Sequence, residues 1–180
     1  MEAIVTARMR GEPLGPGHER ELATLMLDPR VGRTLWATPT PPTMAEIRQG
    51  LRDKRAHWDR HGFGLCLLRD RHDGGLVGRG GLQRTDAGGA EGVEVAWAIV
   101  PERWGQGLAT EFAHACVRMA FDELQLDELL AITLPDNAAS RRVMEKAGFR
   151  YRRLIRHAGL EHVLYDLARD GDTLAGDGAA

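Results

Sequence analysis

Residues 93–114, VEVAWAIVPERWGQGLATEFAH, hold the clearest chemical signal in the chain. Gly105 and Gly107 allow a tight turn, and Leu108, Phe112, Ala115 and Met119 then recur at helical spacing. A glycine turn that feeds a helix N-terminus leaves backbone N–H groups without intrahelical partners and aims the positive end of the helix dipole outward. That arrangement suits a phosphate. Gly-X-Gly ahead of a helix is also ordinary turn chemistry, so the motif alone leaves both readings open. No Lys-Ser or Lys-Thr follows, which argues against a nucleotide-triphosphate loop, and no G-x-G-x-x-G frame fits, which argues against a dinucleotide fold.

The elements around this turn follow from periodicity. Val93, Val95, Trp97 and Ile99 alternate with Glu94, Ala96 and Ala98, giving a central strand with one bulky and one slim face, and Pro101 ends it. Upstream, a strand is expected over 4–9 and a helix over 16–27. The proline-rich stretch 28–43, with Trp36 in it, reads as an irregular surface loop. Thr43 and Glu46 stand at capping-box spacing before a second helix that ends near Gly62. Strands at 63–70 and 76–85 join through Asp73-Gly74-Gly75 as an antiparallel hairpin, and a loop over 86–92 leads into the central strand. The helix from Leu108 then leads to an apolar strand at 129–134, a crossover that implies local parallel pairing. Asn137 caps a short helix that stops at Gly148, and two strands, 149–156 and 161–167, complete the ordered chain.

The chain has 180 residues, enough for one well-packed domain, expected over 1–170 with 171–180 as a disordered tail. An apolar fraction of 43% and a net charge of −2 argue against general affinity for nucleic acid or anionic membrane. Cys66 and Cys116 stand far apart and outside any metal-ligand spacing, so both read as buried hydrophobes in a reducing compartment; neither a metal nor a disulfide is expected. With no apolar signal core and no membrane-length segment, the expected location is the cytoplasm.

VEVAWAIVPERWGQGLATEFAHA together with LPDNAASRRVMEKAGF resembles the GNAT superfamily of N-acetyltransferases, most of all the ribosomal-protein N-terminal acetyltransferase branch. The resemblance covers nearly the whole ordered chain. It implies an α+β (α/β) fold: a mixed, mostly antiparallel twisted sheet of about six to seven strands flanked by about four helices, with a splayed parallel pair at the acyl-CoA site. The superfamily's Q/R-x-x-G-x-G/A loop falls on Trp104, Gly105, Gln106, Gly107, Leu108 and Ala109, with Trp104 departing at the first position. The resemblance makes these residues and Thr110 the pyrophosphate site. The backbone of Trp97, Ala98 and Ile99, beside the slim face of the strand, and Asn137 would receive the pantetheine arm as an added strand. The cosubstrate implied is acetyl-CoA, and the partner a primary amine, either a peptide α-amine or a small molecule such as an antibiotic; a homodimer is left open.

Acetyl transfer needs a neutral amine, a polarised thioester carbonyl and a proton for the departing thiolate. Glu94, on the slim strand face beside apolar neighbours, suits removal of an ammonium proton directly or through water, and it matches the family's acidic position before the glycine turn; the alternative is an exposed strand glutamate. The N–H near Trp97 or Ala98 suits the thioester oxygen. Many superfamily members place a tyrosine acid where Met144 stands here. Ser140 aligns with the serine acid of the ribosomal-protein branch, although a helix serine also bonds its own backbone. Arg103, Arg141 and Arg142 are candidates for CoA phosphates. Trp36, His57, Trp58 and His61 fall in segments that line the acceptor groove of the fold, without an assigned role. The missing tyrosine keeps a second reading open, a non-catalytic acyl-CoA-binding module.

Overall fold

The computed structural model describes residues 4–35 and 40–169. In chain order its elements are β1 (Met9–Pro13), α1 (Glu19–Met26), α2 (Pro29–Leu35), α3 (Met44–His61), β2 (Leu65–Asp70), β3 (Leu76–Ala87), β4 (Ala90–Ile99), α4 (Leu108–Arg118), β5 (Glu128–Thr133), α5 (Ala138–Lys146), β6 (Arg150–His157) and β7 (Leu160–Ala168). The seven strands form one sheet in the order β1-β2-β3-β4-β5-β7-β6. All neighbours are antiparallel except β4 and β5, which the α4 crossover forces to run in the same direction. That parallel pair meets at a single rung, Glu94 opposite Leu130.

Both faces of the sheet are covered. On one side α1 and α3 pack Leu22, Ile47 and Leu51 against Leu14, Leu65 and Leu67. On the other, α4 and α5 bring Phe112, Cys116 and Met144 onto Leu82, Val95, Leu129 and Tyr165. Gly80 makes room for the fully buried Phe112, since a Cβ there would stand 2.4 Å from the ring. Burying such a ring stabilises the packing of α4 on β3 and β4 by about 1.5–3 kcal/mol. The capping box of α3 forms as its spacing requires: Thr43 Oγ1 accepts from the Glu46 N–H at 3.2 Å, and Glu46 accepts from the Thr43 N–H at 2.7 Å.

Four local expectations need correction. The strand expected over 4–9 is a turn: Thr6 N–H donates to the Met9 carbonyl, Gly11 N–H returns to that of Ile4, and the strand begins at Met9. Gly11 permits this close approach, because a Cβ there would meet Ile4 of the folded-back segment at 3.1 Å and Cys66 of β2 at 3.0 Å. The helix expected over 16–27 opens as a 3-10 turn at Pro16–His18 and is α-helical only from Glu19 to Met26. The stretch expected to be irregular from 28 contains α2, whose start was legible as a cap followed by proline: Asp28 Oδ1 accepts the Arg30 N–H at 2.8 Å, and Pro29 takes the first helical position. The loop expected over 86–92 shrinks to Gly88-Gly89, with φ of 61° and 82°, the two left-handed residues of a type I′ hairpin turn. Trp36 and the tail 171–180 lie outside the described residues.

Candidate active site

A cleft of about 600 Å³ opens where β4 and β5 part. Glu94 to Ile99 of β4 form one wall, Ile132 to Leu134 at the end of β5 the other, the glycine turn and the start of α4 one end, and α5 a flank. Val31, Thr34 and Leu35 of α2 also line it. The cleft brings together Glu94, Trp97, Ala98, Ile99, Trp104, Gly105, Gly107, Leu108, Ala109, Thr110, Asn137 and Ser140. Of the residues expected at the pyrophosphate turn, along β4 and at the head of α5, Gln106 is the one absent from the lining.

The turn owes its shape to two left-handed glycines, Gly105 at φ 73° and Gly107 at φ 74°. Gly107 is the N-cap of α4 and supplies no side-chain cap, so the first amides of the helix remain open to a ligand. Gln106 faces away: its carbonyl accepts Arg8 Nη1 at 2.9 Å, and its amide reaches the Glu102 carbonyl at 3.3 Å. Arg8 also grips Glu111 of α4 through its backbone N–H at 2.9 Å and its Nε at 2.6 Å. The chain just before β1 thus clamps the turn to its helix. No local pattern marked Arg8, because its partners lie about a hundred residues away, at separations of 98 and 103. Trp104, at the departing motif position, donates its indole N–H to the Ile99 carbonyl at 2.7 Å and closes the end of β4. Two left-handed glycines, uncapped amides and the nearby cations of Arg142 and Lys146 form a donor set that fits a pyrophosphate.

Glu94 is buried, 7% exposed. Gln83 Nε2 donates to its carboxylate at 3.3 Å, and Lys54 Nζ donates to Gln83 Oε1 at 2.8 Å, so Lys54 fixes the amide that reaches Glu94. Burial raises the pKa of Glu94 above the ordinary carboxylate value; the Gln83 hydrogen bond and the positive charges of Arg79, His157 and Lys54 pull the other way without prevailing. Burial likewise lowers the pKa of Lys54 and of His162. His157 and His162, with ring centroids 5.6 Å apart, line the cleft, as do Arg79 and Gln83. These residues carried no motif: β3, β6 and β7 bring them to Glu94 only once the sheet is assembled.

Asn137 uses both ends of its amide. Oδ1 accepts the Ser140 N–H at 3.1 Å as the cap of α5, and Nδ2 donates to the Thr34 carbonyl of α2 at 3.3 Å. The Ser140 hydroxyl has no hydrogen-bond partner among the described residues and borders the cleft beside the buried Met144. The three candidate arginines separate. Arg103 is paired with Asp70 at 2.9 Å and Asp73 at 3.4 Å; Arg141 donates to the Tyr165 hydroxyl and the Pro135 carbonyl; Arg142 lines the cleft. His57, Trp58 and His61 are not part of the cleft lining. His57 bridges the Phe63 carbonyl and the Arg84 N–H, and the Trp58 indole donates to the Leu65 carbonyl, so these two side chains fasten α3 to β2 and β3.

Comparison with known proteins agrees with this fold. The acetyltransferase (GNAT) domain family matches residues 8–150. The YkkB protein of Bacillus subtilis is 30% identical over 125 residues, covering 64% of this chain and 73% of that protein. Among solved structures, the acetyltransferase from Agrobacterium tumefaciens superimposes with a TM-score of 0.79 at 22% identity, over 94% of this chain and 95% of that one. RimL, a ribosomal L7/L12 α-N-protein acetyltransferase solved with coenzyme A, does so with a TM-score of 0.76 at 16% identity, over 95% and 100%. The chain belongs to the GNAT acetyltransferase family, and with it to the acyl-CoA-dependent N-acetyltransferases. Among the described residues no helix is long and apolar enough to cross a membrane.

Proposed function

We propose that this protein transfers an acetyl group from acetyl-CoA to a primary amine by direct attack, with Glu94 as general base. One observation carries the reading: a buried carboxylate with a raised pKa lies in the same cleft as an uncapped glycine turn. Acetyl-CoA supplies an acetyl thioester whose carbonyl carbon the amine attacks and whose thiolate departs. The amides of Gly105 and Gly107 through Thr110 hold the pyrophosphate, and the edge of β4 at Trp97–Ile99 pairs with the pantetheine arm, which takes the place of the missing rungs between β4 and β5. Gln106 contributes to the turn rather than to the contact.

Glu94 takes a proton from the incoming ammonium, because burial holds its pKa closer to that of the donor than an exposed carboxylate would be. The N–H near Trp97 or Ala98 polarises the thioester oxygen. The Ser140 hydroxyl, which no described residue engages, protonates the departing sulfur. Asn137 orients Ser140 through the cap of α5 and is placed for the pantetheine amide, provided Nδ2 exchanges its Thr34 contact for the ligand.

Thiol release measured with acetyl-CoA and a panel of amines tests the reading. Turnover of at least one amine with stoichiometric N-acetylated product is expected. Met144, which cannot donate a proton, favours the alternative of an acyl-CoA-binding module; tight acetyl-CoA binding without turnover over a broad panel would establish that reading instead.

A further inference from the structure

The geometry points to an acceptor that carries a carboxylate close to its amine, with Arg79 as the residue that holds it. The inference rests on the acetyl-transfer reading of the same cleft and narrows its substrate class. Along β3 and β4, Arg79 pairs with Ala98, Gly81 with Ala96, and Gln83 with Glu94. Paired residues share a face, and successive same-face rungs are roughly 7 Å apart. Arg79 and Glu94 therefore stand at the two ends of a floor made of Gly81 and Ala96, one with no side chain and the other with a single methyl group.

Among the described residues the Arg79 side chain has no hydrogen-bonding partner. Its Nε is buried without a hydrogen bond, and among the described residues its guanidinium donates to no acceptor; the Glu94 carboxylate acts on it as a charge but makes no direct contact. A guanidinium stays charged at physiological pH and presents a planar fork that fits a carboxylate. Leaving one half-buried and unmatched is costly, and the cost is relieved when a ligand brings the anion.

The other arginines and the lysine of the lining lie elsewhere or are satisfied. Arg103 is paired with Asp70 and Asp73, and Arg142 and Lys146 project from α5, which packs on the opposite face of the sheet. Glu94 is the one acid in the lining. On the Glu94 face the cleft thus offers a base for an amine and a fork for a carboxylate, the complement of a zwitterion. A polyamine or aminoglycoside would bring a second positive charge against Arg79, an arrangement that disfavours it. The carboxylate belongs either to a free amino acid or to an acidic side chain at the start of a peptide.

Two measurements test this. First, acetyl transfer is followed for free amino acids paired with their C-amides, for peptide amides beginning with Asp or Ala, and for spermidine and kanamycin. The carboxylated member of at least one pair is expected to exceed its neutral counterpart by about tenfold to a hundredfold in kcat/KM, the range for a hydrogen bond to a charged group. Which pair responds tells a free amino acid from an acidic peptide terminus. Arg79→Gln should erase that preference, mainly through KM, and Arg79→Lys should restore part of it, with acetyl-CoA affinity retained as proof of a folded cleft.

Second, the same pairs are titrated calorimetrically into the CoA-loaded protein, which requires no turnover. Tighter binding of the carboxylated ligand, lost in Arg79→Gln, supports the inference even if no amine is acetylated; in that case the transfer reading alone falls. Equal binding and equal rates for acid and amide, a preference for the polycations, or a carboxylate preference that survives in Arg79→Gln overturns the role of Arg79 while leaving acetyl transfer in place.

Discussion

Glu94 shows why a residue's type matters less than its surroundings. A strand glutamate in water has an ordinary pKa; here burial outweighs one hydrogen bond and three positive neighbours, and the proton is held to higher pH. For catalysis, Glu94→Gln is expected to lower kcat/KM about a hundredfold near neutral pH, within the usual range of a general base. The loss should shrink as pH approaches the pKa of the amine, where no base is needed; a wild-type pH profile in the variant would remove Glu94 from the chemistry. For stability the sign is the reverse of an ion-paired carboxylate. Between the unfolded pKa and the raised folded one, the native state keeps a proton that the unfolded chain has lost, so wild-type stability falls as pH rises through that interval. Thermal melts across pH should show Glu94→Gln gaining on the wild type above pH about 4.5 and losing that advantage below it. Ser140→Ala, which removes an acid from a leaving group already able to depart as thiolate, should cost roughly tenfold, about 1.4 kcal/mol. Acyl donors with more acidic thiols should shrink that factor; a constant factor would make Ser140 a positioning residue.

At the level of elements, the glycine turn is gripped by a residue that precedes the edge strand of the sheet. Arg8 joins the Gln106 carbonyl to Glu111, so the turn and the first turn of α4 are held together from outside. Exposed ion pairs contribute little to global stability. Arg8→Ala should therefore leave the melting temperature nearly unchanged while weakening acetyl-CoA several-fold, which calorimetry can measure; unchanged affinity would show that the turn needs no clamp. Gly107→Val acts on the backbone itself. A β-branched residue at φ 74° costs about 1–2 kcal/mol of folding stability and misaims the amides at the head of α4. Acetyl-CoA affinity should fall by more than the stability does, and retained affinity in a folded variant would remove the turn from the site.

Across the whole molecule, the sheet is joined at its middle by one parallel rung, Glu94 opposite Leu130. The β1–β4 half and the β5–β7 half are otherwise held together by α4, α5 and the core they bury, and by a small cluster of Ala87, Leu130, Ile155 and Leu164. A ligand lying in that gap should bridge the two halves. At a concentration a hundred times its Kd, acetyl-CoA should stabilise the fold by about 2.7 kcal/mol and raise Tm by roughly 5–10 °C. Hydrogen exchange should slow at the amides of 96–99 in β4 and at those of 107–110. A thermal shift accompanied by protection only elsewhere would mean that the ligand binds outside the gap.

The sequence by itself determined the order of elements from α3 to β7, the glycine turn at the head of a helix, the Asn137 cap and the crossover that makes β4 and β5 parallel. These are local properties, written in periodicity, caps and glycines within a few residues of one another. Residues 28–35 were locally legible as well, through Asp28 and Pro29, but the prolines that follow masked the signal. Tertiary structure decided the rest. Arg79 and Gln83 reach Glu94 only because β3 pairs with β4 in one register, and His157 and His162 arrive from strands more than fifty residues away in sequence. Glu94 acquires its raised pKa from the helices and strands that exclude water around it, not from its neighbours in the chain. His57 and Trp58, aromatic residues on a helix beside the expected groove, proved to be fasteners, because their ring nitrogens found backbone partners first. A sequence records what each residue is able to do; which groups share a dry space, and which are already satisfied, depends on contacts between segments that no local pattern encodes.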